Sequence, residues 1–301
     1  MLSAADRQEI AAMAFEPLSE SASLLTIQAL SAGHQAEVLA FLAERPVHNV
    51  FMAGFIRDNG LVSDFNRGTF YACRNRKGRL EGVALIGHAT LVEASEGALA
   101  AFAQLAQYCP SAYMILGERE KVERFWSHYA RSGQTPRRAC RELLFEQRQT
   151  LEVPDPVEGL RLATPDDLEI VLPVYAHMVN TESGVNPLEV DAAGFQQRWL
   201  RRIEQGRVWV WIEDGRLIFN AGIMCDTPDC IYLEGIYVDP VERSKGFGLR
   251  CLSQLSRNLL RRAKSICLLV NEQNQQAQAF YHKAGFTPCG YYDTIFLHLK
   301  N

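Results

Sequence analysis

Glu234-Gly-Ile-Tyr-Val-Asp-Pro-Val-Glu-Arg-Ser-Lys-Gly-Phe-Gly248 is the stretch on which the fold turns. Ile231 to Val238 is rich in β-branched and aromatic residues, which predicts a strand, and Pro240 ends it. Leu249, Leu252, Leu255 and Leu259 then recur at helical spacing. A strand therefore hands over to a helix around Gly246 and Gly248. The first backbone N–H groups of a helix have no internal partner and the macrodipole is positive there, so an anion with several oxygens is well received. Glycines let the backbone come close to such an anion.

Arg243-Ser-Lys-Gly246-Phe-Gly248 carries a resemblance. It matches an Arg or Gln, two free positions, Gly, one free position and a Gly or Ala, which resembles the pyrophosphate-binding signature of the GNAT superfamily of acyl-CoA N-acyltransferases. A second match follows in the same order and spacing as in that family. After the strand-like Ile266 to Val270, the residues Asn274, Ala277, Phe280, Tyr281, Lys283, Gly285 and Phe286 resemble the family's second run. That run also makes sense as an amphipathic helix, with Asn274 as N-cap, Ala277, Phe280, Tyr281 and Ala284 on one face and Gly285 as C-cap glycine.

The resemblance implies an α/β fold with a mixed, mostly antiparallel central sheet flanked by helices. It also implies transfer of an acyl group, usually acetyl, from acetyl-CoA or another acyl-CoA directly to a primary amine. The backbone of Ile236, Tyr237 and Val238 would pair with the pantetheine arm. The N–H groups around Ser244, Lys245, Gly246, Phe247 and Gly248, with Arg243, would hold the pyrophosphate, and Asn274 would touch the cofactor as well as cap its helix. Tyr281 matches the family's general acid, a phenol that keeps its proton at neutral pH and can donate it to a thiolate. Period two along the strand puts Glu234, Ile236 and Val238 on one face, so Glu234 is the expected general base, with partial burial raising its pKa. The competing account makes Glu234 a structural carboxylate paired with an arginine while water carries the proton. Glu182 and Tyr232 are the other candidate bases.

Length and composition set the frame. The 301 residues suit two domains, and 48% hydrophobic with 22% charged residues describes a folded globular chain. A formal charge of −4 supplies no basic field, so neither nucleic acid nor anionic lipid is expected as partner. The cysteines, Cys73, Cys109, Cys140, Cys225, Cys230, Cys251, Cys267 and Cys289, form no C-x-x-C pair and predict free thiols in a reducing compartment. His88, His128, His177 and His282 lack ligand spacing, so no metal is expected. Asp6, Arg7, Glu9 and Glu16 interrupt the N-terminus, and no apolar run is long enough to span a bilayer, which predicts a cytoplasmic protein.

The order of predicted elements occurs twice, which suggests two tandem copies of one fold. Residues 1–24 are expected to be an N-terminal arm, 25–150 a degenerate GNAT-like domain, 151–156 a proline-containing linker and 157–301 the catalytic domain. The first half departs from the family. Val92-Glu-Ala-Ser-Glu-Gly97 offers carboxylates where phosphates should bind, and Trp126, Tyr129 and Gly133 are a faint echo of the second run. In the second half Trp209 and Trp211 alternate with valine as core residues do, and Arg198, Arg201 and Arg202 share part of a helical surface, which is read first as a solvated face and otherwise as one that attracts an acidic group of the substrate. Two other functions remain compatible with these residues: a non-catalytic acyl-CoA sensor or assembly module, and an acyltransferase acting on a protein or aminoacylated acceptor.

Overall fold

A computed structural model describes residues 25–152 and 156–298. The predicted arm at 1–24 and the middle of the predicted linker lie outside the described residues. The chain divides into two compact units, Met1–Glu142 with Tyr291–Asn301, and Leu143–Gly290.

The first unit holds strands β1 (Thr26–Ala29), β2 (Gly68–Arg74), β3 (Leu80–Gly87), β4 (Ala89–Ala94), β5 (Met114–Glu118) and the start of β6 (Pro136–Gln147). The second holds β7 (Arg161–Leu162), β8 (Val208–Glu213), β9 (Arg216–Asp226), β10 (Ile231–Val238), β11 (Ile266–Asn271) and the start of β12 (Thr287–Leu297). Each unit runs strand, helices, three-stranded meander, helix, strand, helix, strand, so the order predicted to repeat does repeat.

In the first unit β1, β2, β3 and β4 pair antiparallel in succession, β4 pairs parallel with β5, and Tyr292–Phe296 lies antiparallel on β5. The helices Glu96–Ala106 and Arg119–Tyr129 cover this sheet with Phe102, Phe125 and Tyr129, which pack with Ile115, Ile295 and Leu297. The β2–β3 turn follows from its residues: Asn75 Oδ1 accepts from the N–H groups of Lys77 and Arg79, and Gly78 takes φ +75°.

In the second unit β7, β8, β9 and β10 are antiparallel neighbours and β10 pairs parallel with β11. Asp214 and Gly215, both at positive φ, make the tight β8–β9 turn that a hairpin requires. One face is covered by the helix Phe247–Leu259, whose Cys251, Leu252, Leu255 and Leu259 pack with Leu233, Ile266 and Phe286. The helices Leu168–Ser183 and Ala192–Glu204 cover the other, through Tyr175, Phe195, Trp199 and Ile203.

Ala89–Ala94 is a strand that a single residue, His88, separates from β3. The structure departs from the sequence expectations at two places. The division between units falls at 142/143 and 290/291, not in the proline-rich segment. Phe145 is buried in the core of the second unit, Gln147 Nε2 donates to the Ala284 carbonyl at 2.9 Å, and Ile295 and Leu297 pack in the core of the first. Most consequential, β10 does not keep period two. Glu234 lies opposite Gly222 and Tyr237 opposite Asn220, so the strand bulges between them, with Gly235 at φ +62°. Ile236 and Val238 therefore pack with the Phe247–Leu259 layer, while Tyr237 packs with the Tyr175–Trp199 layer.

The bulge tolerates only glycine. A Cβ at Gly235 would stand 2.2 Å from Cε1 of Tyr175, and its positive φ disfavours any other residue. Gly235→Ala should destabilise the second unit by about 2–4 kcal/mol. Denaturant unfolding followed by tryptophan fluorescence, which reports mainly Trp199, Trp209 and Trp211 of this unit, measures the loss. A midpoint equal to that of the unaltered chain contradicts this account of the bulge.

Candidate functional site

The site starts where two strands part. β10 and β11 share register pairs only at Ile231–Ile266 and Tyr232–Cys267. From Leu233 onward the β10 edge facing β11 has no strand partner among the described residues. An unpaired strand edge presents backbone N–H and C=O groups in a row, to which an amide-bearing chain can pair. Ile236, Tyr237 and Val238 lie along this edge and are neither fully buried nor exposed.

The strand delivers the chain to a preformed loop. Asp239 accepts from the Val241 N–H at 2.8 Å, Arg216 pairs with Asp239 at 2.9 Å, Lys245 pairs with Glu242 at 3.0 Å, and Arg243 Nε donates to the Val238 carbonyl at 3.1 Å. Ser244 and Gly246 both take positive φ, and Gly246 is the N-cap of the Phe247–Leu259 helix without any side-chain cap. The N–H groups of Lys245, Gly246, Phe247, Gly248 and Leu249 donate to no backbone group among the described residues. A Cβ at Gly246 would meet nothing within 4 Å, so the space beside that residue is open. Gly248 keeps the helix close to the strand, where a Cβ would lie 2.7 Å from Val238 Cγ2. Unpartnered amides at a helix start beside open space suit a pyrophosphate. Arg243 and Lys245 are engaged in holding the loop, which leaves the backbone amides as its unpartnered donors.

Asn274 caps the Gln275–Lys283 helix by accepting from the Ala277 N–H at 3.0 Å. Tyr281 is half-buried against Phe145, Phe280 and Phe286, and its hydroxyl has no hydrogen-bond partner among the described residues. Burial pushes its phenol above the ordinary value, so it holds its proton firmly.

Glu234 sits on the opposite side of the bulge from Ile236 and Val238, which corrects the shared face that period two predicts. Its carboxylate is bonded by Arg202 Nη1, the arginine-paired arrangement foreseen as the competing account. The Arg202 guanidinium lies 4.6 Å from the Trp199 ring centre, and Trp199 stacks on Tyr175. Beneath them Asn220 is fully buried and donates to the Gly235 carbonyl at 2.8 Å, anchoring the bulge. The Tyr175 hydroxyl and Asn220 Oδ1 are buried close to each other without a hydrogen bond of ordinary geometry, and burial pushes the Tyr175 phenol up. Asn220 was detectable in sequence as the one polar residue in Leu217-Ile-Phe-Asn-Ala-Gly-Ile223. Of the other candidate bases, Tyr232 is buried in β10 and Glu182 is exposed. Arg198 pairs with Asp191 at 3.1 Å, and Trp209 and Trp211 pack on the core as expected.

The first unit contains the same strand divergence with different chemistry. β4 and β5 share pairs only at Ala89–Met114 and Thr90–Ile115, and a small cleft follows, lined by Leu91, Val92, Glu93, Leu116, Gly117 and Glu118. Its two carboxylates are clasped by cations: Arg45 bonds both Glu118 oxygens, at 2.5 and 2.7 Å, and reaches Glu93 at 3.3 Å, while Lys121 contacts both. His48 stands 3.4 Å from Glu118 and 3.1 Å from the Tyr292 hydroxyl, and burial lowers its pKa. Nothing in the sequence joined residues so far apart. The clasp fills the opening with charge where the second unit leaves a bare edge.

Burial raises the Glu118 pKa, but Arg45, His48 and Lys121 outweigh it and bring it to about 2, below its ordinary 4.5. A depressed carboxylate stabilises the fold fully above its unfolded pKa, so this contribution is lost as pH falls from about 4.5 through about 2. Glu118→Gln should destabilise the first unit by about 1–2 kcal/mol at pH 7 and flatten that acid dependence, the solvent-screened part of the pair being discounted. Parallel acid titrations of both chains by circular dichroism test this, and superimposable curves would refute it.

No helix among the described residues is long and apolar enough to cross a membrane. Comparison with known proteins bears on the fold. No curated protein matches the chain in sequence. Among solved structures, a Drosophila protein aligns at TM-score 0.65 and 13% identity over 91% of this chain and 99% of its own. A GCN5-related N-acetyltransferase from Sphaerobacter thermophilus aligns at 0.57 and 12% over 92% and 96%. A tandem GNAT protein from the clavulanic acid biosynthesis pathway aligns at 0.55 and 14% over 92% and 99%. At these identities the likeness establishes the fold, a mixed sheet flanked by helices in tandem copies. The acetyltransferase (GNAT) family model matches residues 175–286, a span that begins at Tyr175 and includes the bulge, the glycine loop and the Asn274 helix. Over that span the second half of this chain is similar to the acetyltransferase (GNAT) family.

Proposed function

We propose that the second unit, Leu143–Gly290, forms an N-acetyltransferase site that takes an acetyl or other acyl group from acyl-CoA and passes it to a primary amine. The observation that carries this reading is the continuity of the open β10 edge with the unpartnered amides of Lys245 to Leu249. An edge that pairs amides, followed by amides that accept an anion, matches the pantetheine and pyrophosphate parts of coenzyme A in sequence.

Acyl-CoA supplies the activated carbonyl, and the chain supplies position and protons. The backbone of Ile236, Tyr237 and Val238 aligns the arm. The amides of Lys245, Gly246, Phe247 and Gly248, flanked by Arg243 and Ser244, anchor its charged end, and Asn274 stands at the start of the neighbouring helix. Glu234 takes a proton from the acceptor ammonium. The amine nitrogen bonds the acyl carbon as the carbon–sulfur bond breaks, and Tyr281 protonates the departing thiolate. Of the two protons that the ammonium sheds, one ends on the thiol and one in solvent. The Tyr281 hydroxyl supports its role, since no group among the described residues bonds it and its ring packs on Phe145, Phe280 and Phe286.

Calorimetric titration of acetyl-CoA into the whole chain should give one site, abolished by Gly246→Glu, which puts a side chain on a positive φ and a carboxylate into the open space. Two sites per chain, or binding unchanged in Gly246→Glu, would contradict the assignment. Tyr281→Phe should keep acetyl-CoA affinity within a few-fold while lowering turnover about 10²-fold or more. Turnover equal to that of the unaltered chain would remove Tyr281 from the reaction.

A further inference from the structure

We propose that Arg202 and Glu234 together form a zwitterion subsite and that the acceptor is a free amino acid, its ammonium going to Glu234 and its carboxylate to Arg202. The proposal rests on the acyl-transfer reading of the same site.

Three observations carry it. First, the pair is mostly withdrawn from water, with the Arg202 and Glu234 side chains 22% and 26% exposed, yet each spends only part of its bonding capacity. Among the described residues Arg202 donates only through Nη1 and Glu234 accepts only at Oε1. A guanidinium has five N–H donors in a planar fork and a carboxylate about four acceptor sites, so Nη2, Nε and Oε2 remain for a ligand. Second, the pair is held from below: the Arg202 guanidinium carbon stands 4.6 Å from the Trp199 ring centre, and Trp199 stacks on the buried Tyr175. A guanidinium held against an aromatic ring in this way is pre-organised, and its planar fork can bond a carboxylate through two parallel N–H groups. Third, Glu234 immediately precedes the bulge that Asn220 anchors, beside the open β10 edge.

Electroneutrality then selects the ligand. A simple ammonium that takes Glu234 from Arg202 leaves a mostly buried guanidinium without its counter-ion, which is strongly unfavourable. A zwitterion takes Glu234 with one end and satisfies Arg202 with the other, and every charge stays paired. Arg202 consequently masks the base until a carboxylate arrives to draw it away. Arg202 is a positioning residue in this scheme, since it orients the acceptor and releases Glu234 without touching the acyl carbon.

The experiment uses the full chain with acetyl-CoA and follows thiol release across the common amino acids and their carboxamides. The unaltered chain should prefer at least one amino acid over its own carboxamide by about tenfold or more in kcat/KM, since a site built to bond a group rejects the analogue that lacks it. Arg202→Met should erase or invert that ratio, chiefly by raising KM for the acid, while the carboxamide gains from the exposed Glu234. Arg202→Lys should restore part of the preference, which a merely structural role would not predict. Equal use of acid and carboxamide by the unaltered chain, or a ratio that Arg202→Met leaves unchanged, overturns the proposal while acyl transfer stands. If neither compound is acetylated, calorimetry of the same amino acids in the presence of CoA decides. Binding lost in Arg202→Met upholds the subsite and removes the transfer reading, whereas no binding removes both.

Discussion

The second unit depends on a parallel ladder that stops after two register pairs. Parallel strands normally stay paired along their length because an unpaired backbone group away from water is costly. β10 leaves β11 after Tyr232–Cys267, and the core on either side is complete, with Leu233, Leu252 and Leu255 buried on one face and Tyr175, Trp199 and Val210 on the other. The open edge is therefore a feature of a well-packed sheet. It places a row of backbone donors and acceptors in line with the glycine loop, and the chemistry proposed for the unit follows from that alignment.

The bulge converts this edge into a site with two sides. One extra residue between Glu234 and Tyr237 sends Ile236 and Val238 into the layer of the Phe247–Leu259 helix and leaves Glu234 with Arg202 and the aromatic layer. Asn220 holds the bulge from a fully buried position, with Tyr175 beneath Gly235. Buried polar groups without ordinary partners are uncommon in packed cores, and two of them, the Tyr175 hydroxyl and Asn220 Oδ1, gather under the bulge. The first unit repeats the strand divergence but closes it with Arg45, Lys121, Glu93 and Glu118. The same backbone thus serves two ends, according to whether its opening carries glycines or charges.

Much of this was legible in the sequence. The strand, turn and helix around Glu234 to Gly248 follow from local composition, and so do the Asn75 and Asp214 turns and the Asn274 cap, because each depends on residues a few positions apart. The bulge had one local signal, Gly235 within a strand, which often marks such a place, but its position and its effect on Glu234 are a matter of register against β9. The Arg202–Glu234 pair joins a helix to a strand, and the clasp joins Arg45 to Glu118; such contacts appear only when the elements are packed. The division of units was hidden for a related reason. Prolines signal a connector by composition, whereas a unit's limits are set by which core receives Phe145 and Leu297.

The central claim, that the open β10 edge and the amides after it receive coenzyme A, is tested most directly by amide hydrogen exchange of the full chain with and without CoA. The account predicts added protection at Leu233 to Val238 and at Lys245 to Leu249, with none at Leu91 to Glu93 or Leu116 to Glu118, where the clasp stands. Protection appearing at the clasped cleft, or absent from Lys245 to Leu249, would contradict it.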